Sequence, residues 1–534
     1  MKNWEGSGSP VGDGMDIDNA FMRTFNLLLG NGEGEVSLEE FRGYLLQYSK
    51  PVSRRKSLVS GKDVALVTDD YCKDAKFISH DELREAAFEP LSINEIKDID
   101  SILGAIEERI QYTGNKVLGQ SRFVEDSDIC IDSLYVRGSA NVRQSKYVAY
   151  SRMIRDSEFV FGSSTSGKAR HMIKTTSYNS TRCFESYYVA NTSDTYFSYN
   201  CLDCAENMFS LNQRGSRYVI GNLKVEKNRY LELKKKLLSE VRERLIRERK
   251  FPTIFNLEWK KLEIPDMSPR ERKDERNFGR IDDSFQITSK IMFGKELGPL
   301  GRFEEWLGRH TATVEIRKTP FGRETHPPFT SFPFMRDIDS SRFVTNEEAV
   351  ELGSLKIDLG AGEELDFDGI RKRVERIAYF SPEIVVGACQ NIIGSPLAEN
   401  SMNIYKVVDA NFAKNSALSG QVFNSEYIFG SYWMIDSRFC INCYHSAKLT
   451  NCFEMDGCLS CRDSMFCHNS ENLDNCIFCF NTKSKRYAIG NVEVGREAYL
   501  VIKERIMGGL VGEIKRTGNC KHDIFNVGSR DKQL

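Results

Sequence analysis

The chain has 534 residues, of which 40% are hydrophobic and 28% charged, with a formal net charge of −2. This is ordinary globular composition with length for roughly two to four cores, and the balanced charge argues against a wholesale nucleic-acid or membrane partner. The longest apolar runs, such as IVVGA at 384–388, are far too short to span a bilayer.

In chain order, residues 1–20 have no apolar h-region and read as a flexible leader. Fifteen cysteines without an export signal read as reduced thiols in a cytosol-like compartment. Residues 21–118 read as a helical N-terminal region ending in ELREAAFEPLSINEIKDIDSILGAIEERIQ (82–111). Inside it, LGNGEGEVSLEEF (29–41) has the outline of an EF-hand loop, with Asn31, Glu33, Gly34 and Glu40 at positions three, five, six and twelve. Position one is Leu29 where a carboxylate is required, so a helical hairpin with a Gly-rich turn is the preferred reading.

Beyond residue 118 the chain repeats itself. RGSRYVIGNLKVEKNRYLELKKKLL (214–238) matches KSKRYAIGNVEVGREAYLVIKERIM (483–507) at an offset of 269, and Cys183-Phe184-Glu185 matches Cys452-Phe453-Glu454 at the same offset. Upstream, VRQSKYVAYSRMIRDSEF (142–159) matches VFNSEYIFGSYWMIDSRF (422–439) at 280. The change of offset implies eleven extra residues in the first copy, with 164–176 as the insertion. Two modules follow, 119–250 and 399–510, each preceded by a helical segment (367–398 before the second) and ended by a charged helical run.

Within a module, runs such as SKYVAYS, SEFVFGS and NCIFCFN place aromatic and β-branched residues between Ser, Asn and Gly. These are signals of short strands and tight turns. In the second module Cys440/Cys443, Cys458/Cys461 and Cys476/Cys479 form three C-x-x-C pairs, each beginning eighteen residues after the last, with a subperiod of nine. That recurrence predicts a β-solenoid in which equivalent residues stack, the final helix capping the open end. The six thiols are the candidate metal ligands, for zinc or an iron–sulfur cluster. The first module argues for packing instead: at the matched positions stand Val160/Ser163, Val189/Thr192 and Asn207/Ser210, which fill space but cannot hold zinc.

Other chemistry is sparse. Among seven histidines none forms H-x-x-x-H, and His445 and His468, lying among the cysteines, read as turn residues ahead of metal ligands. Asp156/Asp436 and Glu185/Glu454 are the acids matched between modules and read as turn caps or surface charges. The basic runs at 54–56, 234–236 and 242–250 carry neighbouring Glu residues and read as solvated faces. Residues 251–366, with the Pro- and Phe-rich TPFGRETHPPFTSFPF (319–334), read as a connecting domain or an extended arm that docks on another surface.

The ending N-C-x-F-C-F-N-x-x-x-K-R-Y-x-I-G-N-x-x-V (475–494), followed by Tyr499, resembles uncharacterised cysteine-rich repeat proteins of tailed phages and little-studied bacteria. The resemblance implies a repeat scaffold and a virion context, and no reaction. Arg486 before the Tyr and the loss of most cysteines from the first copy depart from that pattern. The sequence thus predicts an α+β chain with two duplicated β-solenoid-like modules and a C-terminal tail at 511–534. Its expected role is that of a non-enzymatic structural or assembly protein, cytoplasmic or virion-associated, with protein partners or self-assembly and without cofactor, membrane, nucleic acid or small-molecule substrate. A zinc- or iron–sulfur-binding regulator is the alternative, and a solenoid-type carbohydrate enzyme comes third.

Overall fold

The computed structural model describes residues 15–84, 88–89, 98–257, 276–360 and 365–529. It is α+β, and its main features are two sheets of fifteen strands each, parallel except for the last pairing in each. Contacts divide the chain into two compact units that cut across chain order. The first holds Met1–Pro51, Val117–Ile254 and Lys356–Arg376; the second holds Val52–Lys116, Phe255–Leu355 and Ile377–Leu534.

In the first unit the sheet begins at Val117–Leu118, and each short strand pairs with one a fixed distance on. Lys146 lies beside Glu158 and Val148 beside Val160, then Glu158 beside Arg170 and Val160 beside Met172. The register therefore advances by twelve residues, not by the eighteen read from the cysteines. Every third residue lies in the left-handed region, for example Gln144, Tyr147, Tyr150, Met153, Asp156 and Phe159. Those residues form corners; the residue after each corner points inward. The inward series Ser139, Val142, Ser145, Val148, Ser151, Ile154, Ser157 and Val160 is buried throughout. A non-Gly residue at a left-handed corner costs about 1–2 kcal/mol, and the cost is offset by repeating hydrogen bonds. Each inward serine donates to the carbonyl two residues back, as Ser157 Oγ does to Arg155 O at 2.7 Å, and accepts the N–H twelve residues on, as Ser145 Oγ does from Ser157 at 3.1 Å.

The second unit's sheet runs from Ile384–Val386 to Val492–Glu493 by the same rule, with Ile428 beside Cys440 and Cys440 beside Cys452. With one exception, Ser193–Tyr196 in the first and Met465–His468 in the second, which are out of step by three residues, the two sheets correspond strand by strand at an offset of 268 upstream and 269 downstream. The difference is one residue lost in the first copy, where Met172 pairs with Cys183 eleven positions on and the register shifts between Thr176 and Ser177. The eleven-residue insertion inferred from sequence is thus a slip of one repeat: shifting a self-similar ladder by twelve residues still matches serines with serines and aromatics with aromatics. The structural counterparts of Cys440/Cys443 are Met172/Thr175, not Val160/Ser163.

Both sheets end alike. Gly221-Asn222 and Gly490-Asn491 adopt positive φ and turn the chain into an antiparallel pairing. The Asn222 side chain bonds both backbone groups of Leu211 (2.8 and 3.0 Å), and Asn491 does the same to Phe480 (2.8 and 2.8 Å). The helices Lys227–Glu248 and Arg496–Thr517 follow, burying Tyr230, Leu233, Leu237 and Leu245 in one and Tyr499, Ile502, Ile506 and Ile514 in the other.

Helices also cover each sheet from upstream. Ile17–Leu29 packs on strands of the first sheet, and Phe278–Phe293 on the counterpart strands of the second. The 251–366 region is therefore no extended arm: besides this helix it buries Phe332 and Phe334, and Phe334 stacks on Phe255 at 4.9 Å. The 21–118 region is not wholly helical, since it holds the hairpin Ser53–Lys56/Asp63–Leu66 and the parallel pair Phe77–Ser79/Tyr112–Gly114. Of the helical segment 82–111 the described part contains Ile99–Ala105, and 85–87 and 90–97 lie outside the described residues. The segment 367–398 is helical only over Phe367–Val374, because Ile384 already opens the second sheet. Residues 520–527 of the expected tail are packed into the second unit, with Ile524 and Phe525 fully buried. Most of the expected leader, 1–14, lies outside the described residues.

Candidate functional site

The six thiols singled out from sequence are all inward-pointing and buried, and all are free. They do not face one centre; they occupy successive sides of the ladder in series with Ser446, Leu449, Cys452, Met455, Ser464 and Cys467. Their sulfurs are engaged with the backbone. Cys443 Sγ reaches Ile441 O (3.5 Å) and Cys452 O (3.4 Å), and Cys458 Sγ reaches Asp456 O (3.5 Å) and Cys467 O (3.3 Å). Ser470 Oγ makes the same two bonds, to His468 O (2.9 Å) and Cys479 O (3.3 Å). Burial holds the Cys443 and Cys458 thiols well above their ordinary range, so they stand as neutral S–H donors. Cys461 is shifted the other way, lowered by the hydrogen bond from Cys458. Thr192 stands at its place in the first sheet, and Cys204, twelve residues on, is likewise lowered, to about 6, by Cys201.

A set of buried ionisable groups lies elsewhere in the second unit, on the outer face of its sheet. Asp456 accepts hydrogen bonds from His445 Nδ1 (3.0 Å), His468 Nδ1 (2.8 Å) and Tyr71 OH (2.7 Å). On its far side His468 Nε2 accepts the Thr113 N–H at 2.8 Å. His445 does take a turn-like corner, as the sequence reading has it, and His468 does not; both are buried rather than partly exposed, because the 52–116 segment packs over them. Neither joins the cysteines: His445 is a corner and His468 an outward residue, whereas the thiols point inward. Burial raises the Asp456 carboxyl, but the two imidazoles outweigh it and carry it well below the usual carboxylate range.

Beside this triad, Asp523 from the C-terminal segment holds His310 Nε2 (3.2 Å) and Arg309 Nη1 (3.0 Å), and Asp70 lies 3.6 Å from His310 Nδ1. Burial pushes His310 down, but Asp523 and Asp70 lift it to about 9. Glu454 accepts from Asn442 Nδ2 (2.8 Å) and the Ile524 N–H (2.9 Å). Burial, with the Asp523 charge adding, lifts its carboxyl to about 8. The cluster joins three stretches of chain to one sheet face, and its acids are bonded to imidazole, guanidinium, phenol or amide.

The first unit has a smaller counterpart. Glu185, the partner of Glu454 in the repeat, accepts from Lys174 Nζ (2.7 Å), Tyr44 OH (2.5 Å) and Tyr187 OH (3.0 Å), and the Lys174 and Glu185 side chains are 0% and 1% exposed. Glu185 and Glu454 are therefore not surface charges. Asp156 and Asp436 are at the surface, as expected; Asp436 takes part in an open furrow of about 570 Å³ on the second sheet, lined by Phe412, Lys414, Asn424, Glu426, Asp436 and Arg438. Asn424 donates to Asp436 at 2.5 Å, and Arg438 pairs with Glu426.

The EF-hand-like loop is filled by a side chain. Arg242 donates to the carbonyls of Gly30 and Gly32, each at 2.9 Å, and Glu40 pairs with Arg249. In the basic run 234–236, Lys234 pairs with Glu206 at 2.8 Å. No helix among the described residues is long and apolar enough to cross a membrane. No family model, curated protein or solved structure matches the chain.

Proposed function

We propose that each sheet is a β-solenoid of twelve-residue coils and that the protein is a non-enzymatic structural or assembly component, of a virion or another large particle. The observation that carries this reading is the unlike treatment of the two ends of each ladder. The last strand turns into a hairpin and lies under a helix. The first strands, Val117–Leu118 with Arg122–Glu125 and Ile384–Val386 with Gln390–Ile393, pair on one side only among the described residues. Such an edge is a template for another strand. Phe123, on the first of these edges, is 64% exposed and heads a stack through Tyr135, Tyr147 and Phe159.

Mass photometry over a concentration series tests this. Wild-type protein is expected to form species larger than one chain, and Phe123→Lys with Val386→Lys is expected to return it to single chains. A wild type that stays one chain throughout contradicts the reading. The regulatory alternative, zinc or iron–sulfur held by Cys440, Cys443, Cys458, Cys461, Cys476 and Cys479, is tested by elemental analysis of the same sample. A second reading is favoured by the furrow, where Glu426 and Asp436 sit near an exposed Phe412: a glycan-binding or glycan-cleaving face. Reducing-sugar release lost in Glu426→Gln supports it, and no release from any polysaccharide tested removes it.

A further inference from the structure

The repeat reaches well beyond the two sheets. The helix Ile17–Leu29 matches Ile281–Phe293 at an offset of 264, with Ile17/Ile281, Asp18/Asp282, Phe21/Phe285, Thr24/Thr288 and the closing Gly30/Gly294 identical. The same seven positions are buried in both, from Ile17 and Ile281 to Leu29 and Phe293. Phe21 meets Phe161 edge-on at 5.1 Å, and Phe285 meets Phe429 at 5.2 Å. Next, Leu38, Phe41, Tyr44 and Leu45 return as Leu300, Phe303, Trp306 and Leu307, all buried. A β-carbon on Gly162 would strike the Leu45 backbone at 2.8 Å, and one on Gly430 the Leu307 backbone at 3.0 Å.

The middle segments repeat too. Ser79 and Glu82 form a capping box, as do Thr345 and Glu348. Asp98 caps the helix Ile99–Ala105 by accepting from the Ser101 N–H at 2.8 Å, and Asp366 caps Phe367–Val374 by accepting from Gly369 at 2.7 Å. Asp100/Asp368, Ile102/Ile370 and Glu107/Glu375 are identical across these two helices. Yet each belongs to the other half's unit. The Asp98 helix, from the first half, is part of the unit built on the second sheet, where Ile106 and Arg109 press on Gly490. The Asp366 helix, from the second half, is part of the unit built on the first sheet, where Phe367 packs on Phe197 (4.9 Å), Phe209 (5.1 Å) and Phe251 (4.6 Å).

We infer that the chain is a covalently fused dimer: two copies of one repeated unit, roughly 265 residues apart in sequence, that complete each other by exchanging this helical segment, as protomers do in domain-swapped dimers. The partner that each ladder recognises is a capped D-x-D helix from a second copy of the unit. This holds whether or not whole chains assemble further.

The test uses the full chain with a specific protease site inserted between residues 258 and 275. Cleavage of the folded protein is expected to leave both fragments in one particle. After separation in denaturant and refolding, the two fragments are expected to recombine one to one. In the isolated first fragment, amide hydrogen exchange should lose protection over 99–106, or throughout if the fragment does not fold alone, and adding the second fragment should restore it. Phe367→Asp in the second fragment should abolish restoration of exchange protection at 197–209 in the first. Fragments that part as separately protected monomers, or a 99–106 segment protected in the isolated first fragment, would overturn the inference.

Discussion

Cys443 and Ser446 stand three residues apart, both point inward, and both donate to the carbonyl two residues back, at 3.5 and 2.6 Å. A thiol here behaves as a slightly larger, less polar serine. Cys443→Ser is therefore expected to change the unfolding free energy from urea titration by less than about 1.5 kcal/mol, whereas Cys443→Leu overpacks the buried inward series and costs about 1–3 kcal/mol. Loss of cooperative unfolding in Cys443→Ser would assign the thiol another role. The Lys174–Glu185 pair stands at the opposite extreme. Removing one partner strands a charge with both side chains buried, so Lys174→Met is expected to cost about 3–5 kcal/mol and Lys174→Met/Glu185→Leu to recover much of it. Equilibrium denaturation of the single and double variants decides the matter.

At the scale of elements, the ionisable cluster of the second unit is a latch that ties residues 52–116, the 300–311 stretch and the C-terminal segment to one sheet face. Its pH dependence follows from the shifts. Glu454 titrates near 8 in the folded protein and near 4.5 unfolded, and His310 near 9 against 6.5. Both bind protons more tightly when folded. Their contributions are fully present below the unfolded values and vanish as pH rises through the folded ones. Asp456 has the opposite sign: its stabilisation is present above its unfolded value and is lost on strong acidification. The melting temperature of the second unit is therefore expected to fall between pH 6.5 and 9. Glu454→Gln, which mimics the protonated acid, should flatten the lower part of that fall. A melting temperature rising over that interval would contradict the assignment. Gly430 is a second test: at φ +62°, with Leu307 against it, Gly430→Ala is expected to destabilise by more than about 1 kcal/mol in thermal melts.

For the whole molecule, the sequence made the duplication, the R-Y-x-I-G-N turn and the terminal helices plain, because those segments differ from everything around them. The register period was hidden. Cysteines eighteen apart are one and a half register steps of twelve apart, and nine is three quarters of one, so both spacings are real without being the period. The signal that carries the period is the inward series at every third residue, Ser-Val-Ser-Val in the first copy and Cys-Cys-Ser-Leu in the second, with Asn, Asp and Gly frequent at the corners between. Three-residue sides do not alternate like ordinary strands. The His445–Asp456–His468 triad was out of reach because Tyr71 and Thr113, which bury and complete it, come from more than 340 residues upstream. The duplicated helix at 17–29 and 281–293 is legible in the sequence and lies outside the two modules.

Whether the thiols of 440–479 fill the interior of a ladder or hold a metal is decided by metal content and thiol count measured on one native sample. Interior packing gives fifteen reactive thiols per chain on denaturation and no stoichiometric zinc or iron beforehand. One metal ion or cluster per chain, released together with the loss of protected strands in the second sheet, would make the thiols ligands instead.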